Sequence, residues 1–177
     1  MAEIMAGFAE RTGLAGTKRP PRRYLWTDAF AVCNFLEVFE RTGDRTHLAL
    51  AAKLVEQVHH VLGRHREDDS RHGWISGLDE EEGARHPTRG GLRIGKTQNE
   101  RAPHEAFHQQ REWDRDGQYF HYLTKWMHAL DRMAQATGER HYRRWALELA
   151  KAAHAAFVYR ESFGGRLQMY WKMSSTG

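Results

Sequence analysis

Thr42-Gly43-Asp44 returns 95 positions later as Thr137-Gly138-Glu139, and the residues flanking these two triplets decide the fold. Before Thr42, the residues Ala29, Val32, Cys33, Leu36 and Phe39 recur at helical spacing, while Phe30, Phe35 and Val38 lie on other faces of the same segment. A helix that is apolar on more than one side belongs between neighbours. Gly43 suits the left-handed residue that stops such a helix, and Asp44 suits the cap of the next one. Leu48, Ala51, Ala52, Val55, Val58 and Leu62 then carry the period on until Gly63. In the second copy, Tyr119, Tyr122, Leu123, Trp126, Leu130, Met133 and Ala134 precede the turn. Tyr142, Trp145, Ala146, Leu149, Ala150, Ala153 and Phe157 follow it. At the same offset His47 matches Tyr142, Leu54 matches Leu149 and His59 matches His154. The expectation is an all-α protein with repeated helical hairpins at about 27–63 and 118–158, stacked to share a core.

Around the hairpins the pattern is weaker. Residues 1–23 contain Gly7, Gly13, Gly16, Pro20 and Pro21 and read as a flexible leader to a helical-hairpin domain over 24–177. Residues 64–117 form a long polar stretch rich in Gly, His, Arg and acids, with Pro87 and Pro103. A connection of that length in a compact domain is functional or disordered. It reads as an irregular loop excursion over one end of the helices, with short strands possible at 73–75 and 91–95. A C-terminal loop, 159–177, holds Ser162 to Lys172. Both excursions leave the second helix of a pair, so both should emerge on the same face.

Composition narrows the class. The chain has 177 residues, 27 Lys and Arg against 23 Asp and Glu, and a formal charge of +4. This is enough chain for one domain with a real core. No apolar run approaches the roughly 20 residues that cross a bilayer, so no membrane span is expected. Glu3, Glu10 and Arg11 interrupt any signal-like segment, and Cys33 alone makes neither a disulfide nor a cysteine metal site. Together these suggest a cytoplasmic protein. The basic run Lys18-Arg19-Pro20-Pro21-Arg22-Arg23 stops at Tyr24, with no aromatic interleaving, so no nucleic-acid partner is expected. Twelve histidines show no HExxH motif and no fixed ligand spacing. No metal and no cofactor are expected.

The candidate chemistry is carboxylate chemistry. Glu112-Trp113-Asp114-Arg115-Asp116 enters the third hairpin helix, and Asp28 stands at the entry of the first. Glycoside hydrolysis needs two carboxyls, one protonated and one ionised, and an adjacent Arg helps to separate their pKa values. Asp114, Asp116 and Asp28 are therefore the catalytic candidates, each with helix capping as its structural alternative. His121, one turn into the third helix, is a further acid–base candidate. Trp74, Trp113, Tyr170 and Trp171 lie outside the helical stripes and could stack on a sugar ring or pack over helix ends. Lys172 adjoins Trp171 and is a substrate-binding candidate with it. Arg89, Arg93 and Lys96 lie in a Gly-containing segment without Walker spacing and could bind a ligand carboxylate.

The hairpins joined by Thr-Gly-Asp/Glu turns resemble the (α/α) toroids of the six-hairpin glycosidase superfamily. That group includes unsaturated glucuronyl hydrolases and, on a related barrel, N-acylglucosamine 2-epimerases. The stretch from Tyr24 to Lys172 also resembles an uncharacterised bacterial family of that type, through residues 112–119 and 122–130. The resemblance implies a partial toroid of about two of six hairpins, with the remaining hairpins supplied by further sequence or by self-association as a homo-oligomer. It implies a carbohydrate ligand and a hydrolase-type activity. The alternatives are a sugar epimerase or isomerase, or a non-catalytic helical-hairpin binding or assembly protein.

Overall fold

The structure, a computed structural model, describes residues 1–15, 20–102, 104–161 and 165–175. Lys18 and Arg19 of the basic run, Pro103, and Ser162, Phe163 and Gly164 of the C-terminal loop lie outside the described residues.

The two hairpins are present. The first is α2 (Leu25–Thr42) with α3 (Arg45–Leu62), and the second is α6 (Phe120–Thr137) with α7 (Arg140–Phe157). All four helices have 18 residues. The two turns are near copies in atomic detail. Gly43 has φ 72° and ψ 0°, and Gly138 has φ 77° and ψ −1°. Each glycine N–H donates back into its helix, Gly43 to Phe39 O at 2.8 Å and Gly138 to Ala134 O at 2.9 Å. Thr42 Oγ1 donates to Val38 O at 2.7 Å and accepts from Asp44 N at 3.2 Å. Thr137 Oγ1 repeats this with Met133 O at 2.8 Å and Glu139 N at 3.2 Å. The Thr hydroxyl thus satisfies a carbonyl and an amide that the helix end would leave unpaired. Only Asp44 caps the following helix by side chain, accepting from Thr46 N.

The first helices of the two hairpins, α2 and α6, pack on each other, and each second helix packs chiefly on its own partner. Leu25, Val32, Phe35 and Leu36 of α2 meet Leu123, Trp126, Leu130 and Met133 of α6 in one core with Leu54, Val55, Val58, Leu149 and Phe157. Inside it, Trp126 Nε1 donates to His59 Nε2 at 3.1 Å. Burial holds the His59 pKa down at about 3, so this histidine is a neutral acceptor. Its repeat partner His154 is exposed.

The leader departs from expectation. Residues Ala2–Arg11 form helix α1, with Met5 and Ala9 buried and the Phe8 ring edge-on to Phe35 at 6.3 Å. Its apolar face docks on α2, and that tertiary contact outweighs the glycine content that reads as flexibility.

The excursion also carries structure of its own. It contains two short helices, α4 (Glu80–Arg85) and α5 (Gln109–Asp114). The possible strand at 73–75 is reduced to a single bridge between Arg64 and Trp74. The possible strand at 91–95 is extended chain without a sheet partner, seated on the helix ends: Arg93 N donates to Leu62 O, Ile94 N to Gly117 O, and Leu25 N to Ile94 O. The C-terminal loop forms the hairpin β2 (Val158–Arg160) with β3 (Leu167–Met169). It then returns as β4 (Lys172–Met173) beside β1 (Gln118–Tyr119). Both excursions therefore meet where α2 and α6 begin, on one face as expected. Among the described residues, no helix is long and apolar enough to cross a membrane.

Gly43→Ala and Gly138→Ala are each expected to lower stability by about 1–2 kcal/mol, because an added Cβ meets no neighbour at either site and only backbone strain remains. Asn at the same positions should cost less. Urea unfolding midpoints check this, and a neutral Ala variant would contradict the left-handed turn.

Candidate functional site

Six rings form a row across the loop-bearing end of the molecule. Trp113 contacts Trp171 (ring centroids 4.8 Å apart), and Trp171 stacks on Tyr119 (5.1 Å, 21° between planes). Tyr119 stacks on His121 (5.5 Å, 13°), whose ring meets the edge of Trp26 at 5.7 Å, and Trp26 contacts Phe30 at 5.1 Å. Three of these rings are roughly half exposed: Trp113 (47%), Trp171 (49%) and Phe30 (45%). Tyr119 is buried and backs the row. Tyr122 braces it from the side, edge-on to Tyr119 and hydrogen-bonded to Tyr24 through their hydroxyls at 2.7 Å.

The row follows from the internal repeat. Tyr24 and Tyr119 are 95 positions apart and form the N-caps of α2 and α6, and Trp26 and His121 follow at the same offset. Sequence reading placed Tyr119 in a helical stripe and left Trp26 and Phe30 out of the site. The signal was the repeat itself, extended to the N-cap and the second residue of each inner helix.

At the Trp113–Trp171 end lies a cleft of about 460 Å³ bounded also by Phe107, Gln109, Glu112 and Lys172. It runs on past Glu112 and Lys172 into a second recess of about 290 Å³ that includes Glu100, Arg101 and Ser174. Lys172 sits at the junction. Its Nζ donates to Glu112 O at 2.5 Å and Arg115 O at 3.1 Å, and lies 5.7 Å from the Tyr119 ring centroid. Burial lowers its pKa, partly offset by the Glu112 carboxylate 3.7 Å away. Lys96 Nζ approaches the same ring at 5.3 Å and the Tyr119 hydroxyl at 3.3 Å. Glu112 also faces Arg101 at 3.3 Å.

The structure gathers some of the expected residues here and removes others. Trp113, Trp171 and Lys172 line the first recess, and Tyr170 borders the second. His121 lies in the aromatic row, with its pKa lowered by burial. Asp114 is exposed at the end of α5 with no hydrogen bond or ion pair among the described residues. Asp116 borders the second recess but does not cap α6. It is 1% exposed, takes Arg93 Nη1 at 2.5 Å on one oxygen, and takes Gly95 N at 2.9 Å and Lys96 N at 3.3 Å on the other. Arg93 is equally committed, donating to Val61 O and Arg64 O at 2.6 Å each. Neither group is free to take a ligand. Trp74 is 4% exposed, packed against Gly83 and Gly63 over the end of α3, with the Arg64 guanidinium 4.9 Å above its ring. Arg89 is exposed on the turn after α4, where its N–H donates to His86 O, and it borders neither recess.

Asp28 is buried one turn into α2. Its Oδ2 accepts from Tyr24 N at 3.0 Å, so it caps the helix by reaching back. Arg23 Nε stands 3.8 Å away, too far for a hydrogen bond, and Arg23 Nη2 donates to Thr12 O. Burial dominates both partners: it pushes Asp28 up to about 6 against the pull of Arg23, and it lowers Arg23.

No family model, curated protein or solved structure matches the chain.

The Asp28 shift gives a signed pH effect. Its folded pKa lies above the ordinary carboxylate value, so the folded state binds the extra proton and stability falls as pH rises from about 4 to about 6. Measured against Asp28→Asn, the wild type should lose on the order of 2–3 kcal/mol between pH 4 and pH 7. Urea unfolding of both proteins across that range checks it. Parallel profiles would contradict the assignment.

Proposed function

We propose that the chain is a carbohydrate-binding protein that stacks sugar rings on Trp113 and Trp171 and holds their hydroxyls from the Glu112–Lys172 side of the cleft. The observation that carries the reading is where the exposed large apolar side chains fall. Among the described residues, six of the ten are Phe107, Trp113, Leu167, Met169, Tyr170 and Trp171, within two loop segments that meet at one end of the fold. A concentrated exposed apolar surface marks an interaction site. Flat rings beside charged and amide side chains suit a ligand with apolar ring faces and a polar rim.

Recognition is better supported than hydrolysis. Of the three carboxylates with the right sequence setting, Asp116 and Asp28 are buried among fixed partners, and Asp114 stands alone. On the same reading the helical layout is a segment of an (α/α) toroid. Its support is the packing of α2 on α6, with α3 and α7 each on its own partner, and the collection of both excursions at one end.

Titration of the indole N–H resonances with a panel of neutral and acidic oligosaccharides tests the reading. Trp113 and Trp171 should shift together and saturably, and Trp171→Ala should weaken binding at least about tenfold with the helical circular dichroism unchanged. A panel in which no sugar moves either indole would overturn it.

A further inference from the structure

A second cleft lies away from the aromatic row, between the C-terminal half of α3, the excursion around α4, and α7. It has a volume of about 400 Å³ and mostly apolar walls. Four rings border it, those of Trp74, Trp145, His59 and His60, together with two carboxylates, Glu56 and Glu80. Among the described residues its lining includes no lysine or arginine.

Each wall is fixed by its own contacts. Trp145 donates through Nε1 to Arg85 O at 2.9 Å, and its backbone oxygen accepts from Thr88 Oγ1 at 2.7 Å, which ties the excursion to α7. His59 meets Trp145 at right angles, with centroids 4.9 Å apart. His59 is already the acceptor of Trp126 and is held neutral by burial, so it adds no positive charge to the wall. Glu80 is taken by Arg64, which bonds both carboxylate oxygens at 2.5 and 2.8 Å while lying over Trp74. Glu56 is exposed and makes no ion pair among the described residues.

The chemistry of these walls excludes most ligands. An anion would face two carboxylates, and the one cation at this wall among the described residues, Arg64, is already bonded to both oxygens of Glu80. A metal ion would need converging donors, and no group of three His, Cys, Asp or Glu side chains suited to one occurs among the described residues. A sugar would find few polar partners, since Gln57 is the one amide side chain beside His60 and the two carboxylates on walls that are mostly apolar. What remains favourable is a positive charge spread over an apolar surface, attracted by ring faces and balanced by one carboxylate. The protein already uses that chemistry once at this site, in the Arg64 guanidinium lying over Trp74 and bonded to Glu80.

We infer that this cleft binds a small organic cation of the methylated-ammonium type, packed against Trp145 and His60 and charge-balanced by Glu56. The site is independent of the carbohydrate reading.

The test is a titration of the full chain with choline, followed at the indole N–H of Trp145, one of six tryptophans and assigned with Trp145→Phe. The neutral isostere 3,3-dimethylbutan-1-ol is run in parallel. Choline should shift the Trp145 resonance saturably and bind at least about tenfold more tightly than the alcohol, as expected for a cation over aromatic faces beside a carboxylate. Glu56→Gln, on an exposed residue with no ion pair among the described residues, should weaken choline about three- to tenfold and leave the alcohol unchanged. Equal binding of choline and alcohol would overturn the proposal, as would an unchanged choline affinity in Glu56→Gln. So would the absence of any Trp145 shift at about 50 mM choline.

Discussion

The buried ion pair of Arg93 and Asp116 is the constraint on which the loop-bearing end of this protein depends. Two carbonyls at the end of α3 and one just beyond it lack helical partners, and Arg93 satisfies all three, Leu62 O through its backbone and Val61 O and Arg64 O through its guanidinium. A cation at that position also complements the helix dipole. The remaining face of Arg93 goes to Asp116, which gathers the backbone N–H groups of Gly95 and Lys96 and precedes β1 and α6. Arg66 adds a second charge 3.7 Å from the same carboxylate. One pair thus joins the exit of the first hairpin, the middle of the excursion and the entry of the second hairpin. Breaking such a pair from one side costs about 3–5 kcal/mol, because it strands a charge out of water.

From that clasp the aromatic row takes its position. Asp116 fixes the chain three residues before Tyr119, and the same carboxylate holds Lys96, whose ammonium approaches the Tyr119 ring. Trp171 reaches Tyr119 because β4 pairs beside β1, with Lys172 opposite Tyr119. The candidate binding surface therefore rests on helix ends and one ion pair, although most of its exposed side chains belong to loops.

The hairpins were legible in the sequence because their determinants are local. A Thr-Gly-acid turn needs only neighbouring atoms to form, and the apolar period on each side reports burial directly. The 95-residue repeat likewise contained the Tyr24/Tyr119 and Trp26/His121 pairs, although their meaning depended on two N-caps coming together in space. The partners of Asp116 were not legible. Arg93 is 23 residues away, and nothing in a carboxylate's own surroundings distinguishes a nucleophile from half of a buried pair. For Trp74 the sequence leaves open a ligand platform or packing over a helix end, and Gly83 and Gly63 provide the space that decides for packing. The leader was misread for a related reason, since its three glycines outweigh Met5, Phe8 and Ala9 until α2 offers them a face.

Amide hydrogen exchange on Asp116→Asn tests the clasp most directly. The account predicts that α2, α3, α6 and α7 keep their protection, whereas residues 92–98 and 115–119 lose theirs and the Trp113–Trp171 contact loosens. Protection unchanged in those two segments, or lost uniformly from the hairpins as well, would contradict it.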